Sequence, residues 1–153
     1  LTDLAQDFQK TLIQSDPHRS AQWDIAENLT THGDPLLLSF LLQNLLENAW
    51  KFSIHTPTAQ ISLGQMETSK GPAFFVRDNG VGFDMAHVEK LFIPFNRLHA
   101  RAQFPGTGIG LATAHRIVKR HGGDIWVEAE LDQGATFFFT LQPAAPPPGA
   151  YQI

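Results

Sequence analysis

The chain contains no cysteine, no long apolar run and no cluster of basic residues. Without cysteine it can hold neither disulfides nor a cysteine-ligated zinc or iron–sulfur site. Its apolar runs fall far short of the roughly 20 residues that cross a membrane, and its first residues lack a basic-then-apolar signal segment. We therefore expect a soluble, cytoplasmic domain that makes no membrane contact of its own.

The charge balance excludes a further class of partner. The sequence has 11 lysines and arginines against 15 aspartates and glutamates, a net charge of -4. Nucleic-acid-binding domains instead carry clustered basic residues. We expect no nucleic-acid partner, and any anionic ligand must be held by local groups.

The length and the prolines predict one folded domain with a short tail. A chain of 153 residues can bury a core without covalent cross-links. Four of the ten prolines follow position 142, and such a proline-rich stretch is typical of linkers and disordered tails. We predict a domain over residues 1–142 and a disordered tail over residues 143–153.

Apolar spacing predicts helices and strands along the whole domain. A helix is predicted from Thr2 to Ser15, and Asp34-Pro35, an N-cap and a first-turn proline, opens a longer helix to about Phe52. Further helices are predicted over residues 85–92 and 111–118, and strands over 21–25, 59–63, 73–76, 125–129 and 137–141. Residues 93–107 show no dependable period and are predicted to form a long loop, a length usually associated with function.

The long helix carries two amides and an ammonium on one face. Asn44, Asn48 and Lys51 are spaced i, i+4 and i+7 beside an apolar stripe, and a buried amide without a partner costs about 1–3 kcal/mol. A metal-bound phosphate group would satisfy both amides, because amide oxygen is a hard ligand suited to Mg²⁺ and an ammonium suits a phosphate oxygen. The alternative is that the amides cap neighbouring loops and Lys51 is simply exposed.

A second polar feature follows the predicted strand 73–76. In Asp78-Asn79-Gly80-Val81-Gly82, the carboxylate could accept a hydrogen bond from an amino group on a flat heterocycle while bare glycine backbone packs against the ring. The alternative is an Asp-Asn-Gly turn that holds no ligand. From this segment alone, both interpretations stay open.

A glycine-rich segment, residues 106–111, opens the third long helix. Glycines leave backbone N–H groups uncovered at a helix N-terminus, the usual arrangement of an anion site. The spacing matches neither the dinucleotide fingerprint nor the Walker A loop, and no kinase-type HRD or DFG sequence is present. A plain glycine hinge is the alternative. The seven histidines form no HExxH pair, so no histidine-based metal site is expected.

Five short segments follow one another along the chain. They are NLLENAWKFS (44–53), DNGVGF (78–83), LFIPF (91–95), GTGIGL (106–111) and GAT (134–136). In this order they resemble the N, G1, F, G2 and G3 boxes of the catalytic, ATP-binding domain of sensor histidine kinases, in the GHKL superfamily that also holds gyrase, Hsp90 and MutL. The likeness covers most of residues 20–142. The runs PFNRLH and FPGTGIGLATAHRIVKRHGG look most like the phytochrome-like and related soluble-sensor branch.

The resemblance implies a fold and two ligands. The fold is a two-layer α/β sandwich of the Bergerat type, with a mixed sheet packed on three helices and a flexible ATP lid. The ligands are ATP and Mg²⁺, with Asn48 on the metal, Asn44 beside it and Asp78 on the adenine amino group. Asn44, Lys51 and, from the lid, Arg97 would form the catalytic set. The resemblance also assigns nucleotide contacts to Gly80, Gly82, Gly106, Thr107, Gly108, Ile109, Gly110, Leu111 and Thr136, and lid docking to Phe92 and Phe95.

Two departures from the family pattern refine the expected function. ATP-hydrolysing relatives carry a glutamate base at the position of Asn44, and an amide cannot take a proton, which disfavours hydrolysis. No histidine of the chain lies in the family's phosphoacceptor motif. The resemblance therefore implies a protein-histidine kinase catalytic domain that does not phosphorylate itself.

The expected partner is a phosphoacceptor histidine on a separate dimerisation helix, reached in cis or in trans, which receives the γ-phosphoryl group of Mg–ATP. A response regulator of two-component signal transduction would be an indirect partner of this domain. One alternative is a nucleotide-dependent docking or sensing domain without transfer activity. Another is a serine kinase or a hydrolase of the same superfamily, which Asn44 disfavours.

Overall fold

The structure, a computed structural model, describes residues 1–93 and 110–141 and the backbone of residues 151–152; of residues 87 and 89 it describes the backbone alone. Three α-helices lie in these ranges, α1 (Thr2–Ser15), α2 (Pro35–Phe52) and α3 (Gly110–Arg120), with a 3₁₀ helix at Met85–Phe92. The strands there are β1 (Ala21–Ile25), β2 (His32–Gly33), β3 (Ala59–Thr68), β4 (Gly71–Asp78), β5 (Ile125–Glu130), β6 (Gly134–Phe139) and β7 (Tyr151–Gln152).

The helix α2 begins where the sequence predicts. The Asp34 carboxylate accepts hydrogen bonds from the backbone N–H groups of Leu36 at 2.9 Å and Leu37 at 3.1 Å, and Pro35 occupies the first turn. This cap satisfies two N–H groups that the helix itself leaves unpaired. The helices predicted over 2–15, 85–92 and 111–118 are likewise confirmed. The strands predicted over 59–63 and 73–76 pair in one hairpin, and the strand over 125–129 pairs with β6 in another.

One mixed sheet of five strands forms the second layer. Its order is β1-β3-β4-β6-β5, with β1 parallel to β3 and the other neighbours antiparallel. Alternate strand residues pack with the leucines of α2 in a single core; those from the central strands are Ile61, Leu63, Phe74, Val76, Phe137 and Phe139. The two-layer α/β sandwich with a mixed sheet on three helices is therefore confirmed.

The opposite face of the sheet carries its own aromatic row. Phe138 lies between Trp126, with ring centroids 5.3 Å apart, and Phe75, at 6.4 Å. Lys70 lies over Trp126 and Arg77 over Phe75. Of the three consecutive phenylalanines 137–139, the first and third face the core, and the second faces this row, as strand alternation requires.

A second aromatic stack holds the end of α2 against β1. The rings of Trp23 and Trp50 stack with centroids 5.7 Å apart, and the Arg19 guanidinium lies 4.0 Å from the centre of the Trp50 ring. Arg19 also donates to the hydroxyl of Ser53 at 2.8 Å, and Ser53 is fully buried. The last turn of α2, which carries Lys51, is thereby fixed in position.

The C-terminal residues contain a strand that the proline-rich composition does not predict. Tyr151–Gln152 pairs antiparallel with His32–Gly33. Residues 142–150 lie outside the described ranges, so the expectation of a disordered tail stays a prediction there. Among the described residues, no helix is long and apolar enough to cross a membrane.

Candidate functional site

The structure places the three predicted polar residues of α2 on the helix as the sequence predicts. Asn44, Asn48 and Lys51 are all partly exposed, and their spacing places Lys51 about 10 Å beyond Asn44 along the helix axis. Within the described part of the chain, neither asparagine amide hydrogen-bonds to another protein group. The described residues thus provide no loop for these amides to cap, and both amides can bind a ligand.

The two neighbouring charged residues of α2 are arranged differently. The Lys51 ammonium lies 4.7 Å from the centre of the Phe52 ring, on the polar face. Glu47 is exposed on the outer surface of the helix, where its carboxylate accepts a hydrogen bond from Gln43 at 3.0 Å. The Glu47 carboxylate is therefore directed toward Gln43 and away from the helix face that carries Asn44.

The N-terminus of α3 lies directly beside Asn44. A Cβ on Gly110 would be 3.3 Å from Asn44 Oδ1, so glycine allows the two helices to approach closely here. The first N–H groups of an α-helix have no partner within the helix and favour negative charge. Leu111 is buried and fixes this first turn to the core. The site thus combines helix-terminal N–H groups with two amide groups that have no hydrogen-bond partner within residues 1–93 and 110–141.

Asp78 ends β4 as a buried carboxylate, 6% exposed. Burial raises the pKa of Asp78 from 3.8 to about 6, although hydrogen bonds from the backbone N–H groups of Gly80 and Ala135 act in the opposite direction. The Gly80 bond to Oδ1 measures 2.8 Å. A carboxylate can accept about four hydrogen bonds, so Asp78 keeps acceptor capacity for a further donor.

The glycines after Asp78 are required by the protein's own backbone. A Cβ on Gly80 would collide with the carbonyl oxygen of Phe52, the last residue of α2, and a Cβ on Gly82 would collide with that of Glu130. The loop is thus held between the end of α2 and the β5–β6 turn. Direct nucleotide contacts by Gly80 and Gly82 stay a prediction, because this packing by itself explains why both residues are glycine.

Asn79 is a positioning residue that the sequence did not single out. Its amide oxygen accepts from the Gln60 N–H at 2.8 Å, and its amide nitrogen donates to the Thr58 carbonyl at 3.0 Å. Both bonds join the loop after Asp78 to the start of β3. The segment is therefore more than a simple Asp-Asn-Gly turn, and only the long-range pairing of β3 with β4 reveals this role.

Thr136 is not brought to the Asp78 carboxylate. It follows Ala135, the residue opposite Asp78 in the β4–β6 pairing, and neighbouring strand residues face opposite sides of a sheet. Its hydroxyl accepts from Arg77 Nε at 3.3 Å on the outer face. In this arrangement Ala135, rather than Thr136, borders the space beside Asp78.

Several predicted contacts lie outside the described residues, namely Arg97, Gly106, Thr107, Gly108, Ile109 and Phe95. Phe92 is described, and it packs into the domain, with ring centroids 5.5 Å from His115 and 6.5 Å from Phe137. This packing anchors the beginning of the predicted lid segment to α3 and the core.

The donor set at the site fits a magnesium-bound phosphate chain. In the described part, no group of three or more histidines, aspartates and glutamates is placed to hold a metal. The oxygens of Asn48 and Asn44 are hard donors, which suit Mg²⁺ when phosphate oxygens and water complete its shell. A helix N-terminus and an ammonium group such as that of Lys51 suit phosphate oxygens.

Comparison with known protein families identifies the same region. The profile of the family described as "Histidine kinase-, DNA gyrase B-, and HSP90-like ATPase" matches residues 33–145. Cyanobacterial phytochrome A of Nostoc sp. is 46% identical over 102 residues, which cover 66% of this chain and 13% of that protein. Phytochrome-like protein Cph1 of Synechocystis sp. is 32% identical over 143 residues, 92% of this chain and 19% of that protein. The chain thus spans less than a fifth of the length of these relatives.

Solved structures share the fold. The catalytic domain of histidine kinase ThkA superposes with a TM-score of 0.75 at 22% identity, covering 94% of this chain and 92% of that one. Full-length ShkA, solved in complex with AMPPNP, superposes with a TM-score of 0.70 at 25% identity, covering 94% of this chain and 31% of that one.

Proposed function

The chain belongs to the family of histidine kinase-, DNA gyrase B- and HSP90-like ATPases, and from this premise we propose that it binds Mg–ATP between α2, the loop after β4 and the N-terminus of α3. In this proposal the γ-phosphoryl group is presented to a histidine nitrogen on another segment or subunit. The proposal agrees with the sequence, in which none of the seven histidines lies in the family's phosphoacceptor motif.

The observation that carries the proposal is that the amides of Asn44 and Asn48 have no hydrogen-bond partner among the described residues, and that Asn44 lies beside the start of α3. Asn48 would hold Mg²⁺ through its amide oxygen, with Asn44 next to the metal and its waters. When bound, Mg²⁺ neutralises charge on the phosphate oxygens. Lys51 would bind a phosphate oxygen as a point charge, and the uncovered N–H groups of α3 would bind another.

Asp78 would select the base. An ionised carboxylate with spare acceptor capacity can take a hydrogen bond from the exocyclic amino group of adenine, whereas guanine presents a carbonyl oxygen at the corresponding position. The buried surroundings of Asp78 exclude competing water, which makes such a bond more discriminating. Asn79, through its bonds to the start of β3, would keep the loop in place around the ring.

The chemistry that these residues support is positioning and charge neutralisation. Asn44 cannot accept a proton, and the one carboxylate nearby on α2, Glu47, is engaged by Gln43 on the outer surface. The face of α2 that carries Asn44 and Asn48 therefore presents no carboxylate that could activate water as a general base. A neutral imidazole needs no such base because its nitrogen is already nucleophilic, which favours transfer to histidine over hydrolysis.

Two measurements on the 153-residue chain test the proposal. Calorimetry with Mg–ADP should give measurable heat, and the melting temperature should rise as ligand is added; no heat and no thermal shift at millimolar nucleotide would refute nucleotide binding. With γ-labelled ATP, the chain alone should incorporate no label, and an added helical hairpin that carries the acceptor histidine should become labelled. Binding without any transfer to such hairpins would instead support the docking or sensing alternative.

A further inference from the structure

The side chain of His121 connects the C-terminal end of α3 to the N-terminal end of α2, away from the candidate site. His121 directly follows α3. Its Nε2 accepts a hydrogen bond at 3.1 Å from the backbone N–H of Asp34, the residue that caps α2. Its Nδ1 lies 2.8 Å from the carbonyl oxygen of Ile117 in the last turn of α3. Because Nε2 accepts, the ring proton is on Nδ1, and that proton is donated to Ile117.

The surroundings of the ring are shaped to hold it. A Cβ at Gly33 would lie 2.8 Å from the Cδ2 and Nε2 atoms of His121 and 2.8 Å from a methyl group of Leu38. A side chain at position 33 would therefore require the His121 ring or the Leu38 methyl group to shift from this arrangement. The histidine, the glycine and the cap form one unit that joins the end of α3 to the beginning of α2.

The first turn of α3 lies against the middle of α2 at the candidate site. There, Gly110 lies against Asn44 Oδ1. The helix α3 has 11 residues, about 16 Å in length, and behaves as a rigid rod between the two contacts. A change in its position at His121 is therefore transmitted to the first turn, where the N–H groups meet Asn44.

We propose that His121 is a positioning residue for nucleotide binding, which sets the spacing of α2 and α3 through its bond to the Asp34 N–H. This inference rests on the proposed function. It assigns to His121 a role distinct from local capping of α3, because the bond to Ile117 lies within one helix and the bond to Asp34 joins two.

Two substitutions separate these bonds. In His121→Gln, the side-chain oxygen reaches the position of Nε2 and can accept from Asp34, but the side-chain bond to the Ile117 carbonyl is lost, and that carbonyl keeps only the bond from the backbone N–H of residue 121. In His121→Asn, the shorter amide reaches the position of Nδ1 and can donate to Ile117 but leaves the Asp34 N–H unpaired. Both variants lose the imidazole ring, so they form a matched pair. Leu12→Ala, on α1 and partly buried, is the control for general loss of stability.

The affinity for Mg–ADP, measured by calorimetry well below each melting temperature, tests the proposal. His121→Asn should bind about fivefold more weakly than the wild type, the effect of one lost hydrogen bond. His121→Gln and Leu12→Ala should bind within about twofold of it. In the wild type, long-range ¹H–¹⁵N spectra should show the proton of His121 on Nδ1.

Each contrary result has a separate meaning. Equal affinities for the wild type and both His121 variants would refute the positioning role and leave the proposed function intact. A weaker His121→Gln beside an unchanged His121→Asn would show that only the local bond to Ile117 matters, which also refutes it. Absence of binding by the wild type would refute the proposed function itself.

Discussion

The α-carbon of Gly80 faces the carbonyl oxygen of Phe52, and no side chain fits between them. The same oxygen accepts a hydrogen bond from the Val81 N–H at 3.0 Å. This contact joins the end of the helix that carries Asn48 and Lys51 to the loop that follows Asp78.

The variant Gly80→Ala should separate these two elements. We expect the free energy of unfolding to fall by about 3 kcal/mol, because added methyl groups in tight packing force the backbone to shift. Urea denaturation measures this loss. Gly71→Ala is the control, since Gly71 is the first residue of β4, with open space around it and a φ of 89°; the substitution should cost only backbone strain, about 1 kcal/mol, and leave Mg–ADP affinity unchanged. If Gly80→Ala were as stable as the wild type, the close approach to Phe52 would be incorrect.

The stability of the wild type should decrease between about pH 4 and pH 6 through Asp78. Burial raises the pKa of this group from 3.8 to about 6, so the folded state binds its proton more tightly than the unfolded state. The resulting stabilisation is complete below the unfolded pKa and is lost as the pH rises through the folded pKa, a change of about 3 kcal/mol over the whole window. Asp78→Asn lacks the titrating group and should not show this decrease. Parallel pH dependences of the two unfolding free energies would contradict the assignment.

Base selection by Asp78 can be tested at pH 7.5. We expect Asp78→Asn to bind Mg–ADP with at least about 1.5 kcal/mol less free energy, since a hydrogen bond to a charged acceptor contributes that much, and to lose the preference for ADP over GDP. In the wild type, the affinity should also fall below about pH 6, because the protonated carboxyl of Asp78 is a weaker acceptor. Competition calorimetry with the two nucleotides measures both effects. Unchanged affinity in Asp78→Asn would remove this residue from the site.

The Mg²⁺ dependence of ADP affinity should depend on Asn48. We expect Asn48→Ala to lose about tenfold or more in ADP affinity when Mg²⁺ is present, and little when the metal is chelated, because its amide oxygen acts through the ion. Gln43→Ala is the matched control on the same helix, since the Gln43 amide donates to the exposed Glu47 carboxylate. An equal loss with and without Mg²⁺ would indicate that Asn48 contacts the nucleotide directly.

Local signals predicted the elements that carry the site. Asp34-Pro35 predicted the start of α2, and its 3.6-residue period placed Asn44, Asn48 and Lys51 on one face, because cap and period are properties of contiguous residues. A short apolar run, residues 73–76, likewise predicted the strand that ends at Asp78.

The relationships between distant segments were not predictable in this way. The pairing of His32–Gly33 with Tyr151–Gln152 involves two residues on each side, too few to show any period. The bridge from His121 to Asp34 spans 87 positions. The glycines at 80 and 82 suggested a ligand, whereas the structure shows that neighbouring carbonyl groups already exclude a side chain there.

The stacked pair Trp23–Trp50 is an intrinsic spectroscopic probe of the end of α2. Trp50 immediately precedes Lys51 and its ring is held by Arg19, so displacement of the last turn of α2 changes the emission of this pair. Two indoles in such close contact also couple their electronic transitions, which produces a paired band in circular dichroism that vanishes when they part. The third tryptophan, Trp126, stacks on Phe138 on the opposite face of the sheet. Movements of the α2 end can therefore be followed in solution without attaching a dye.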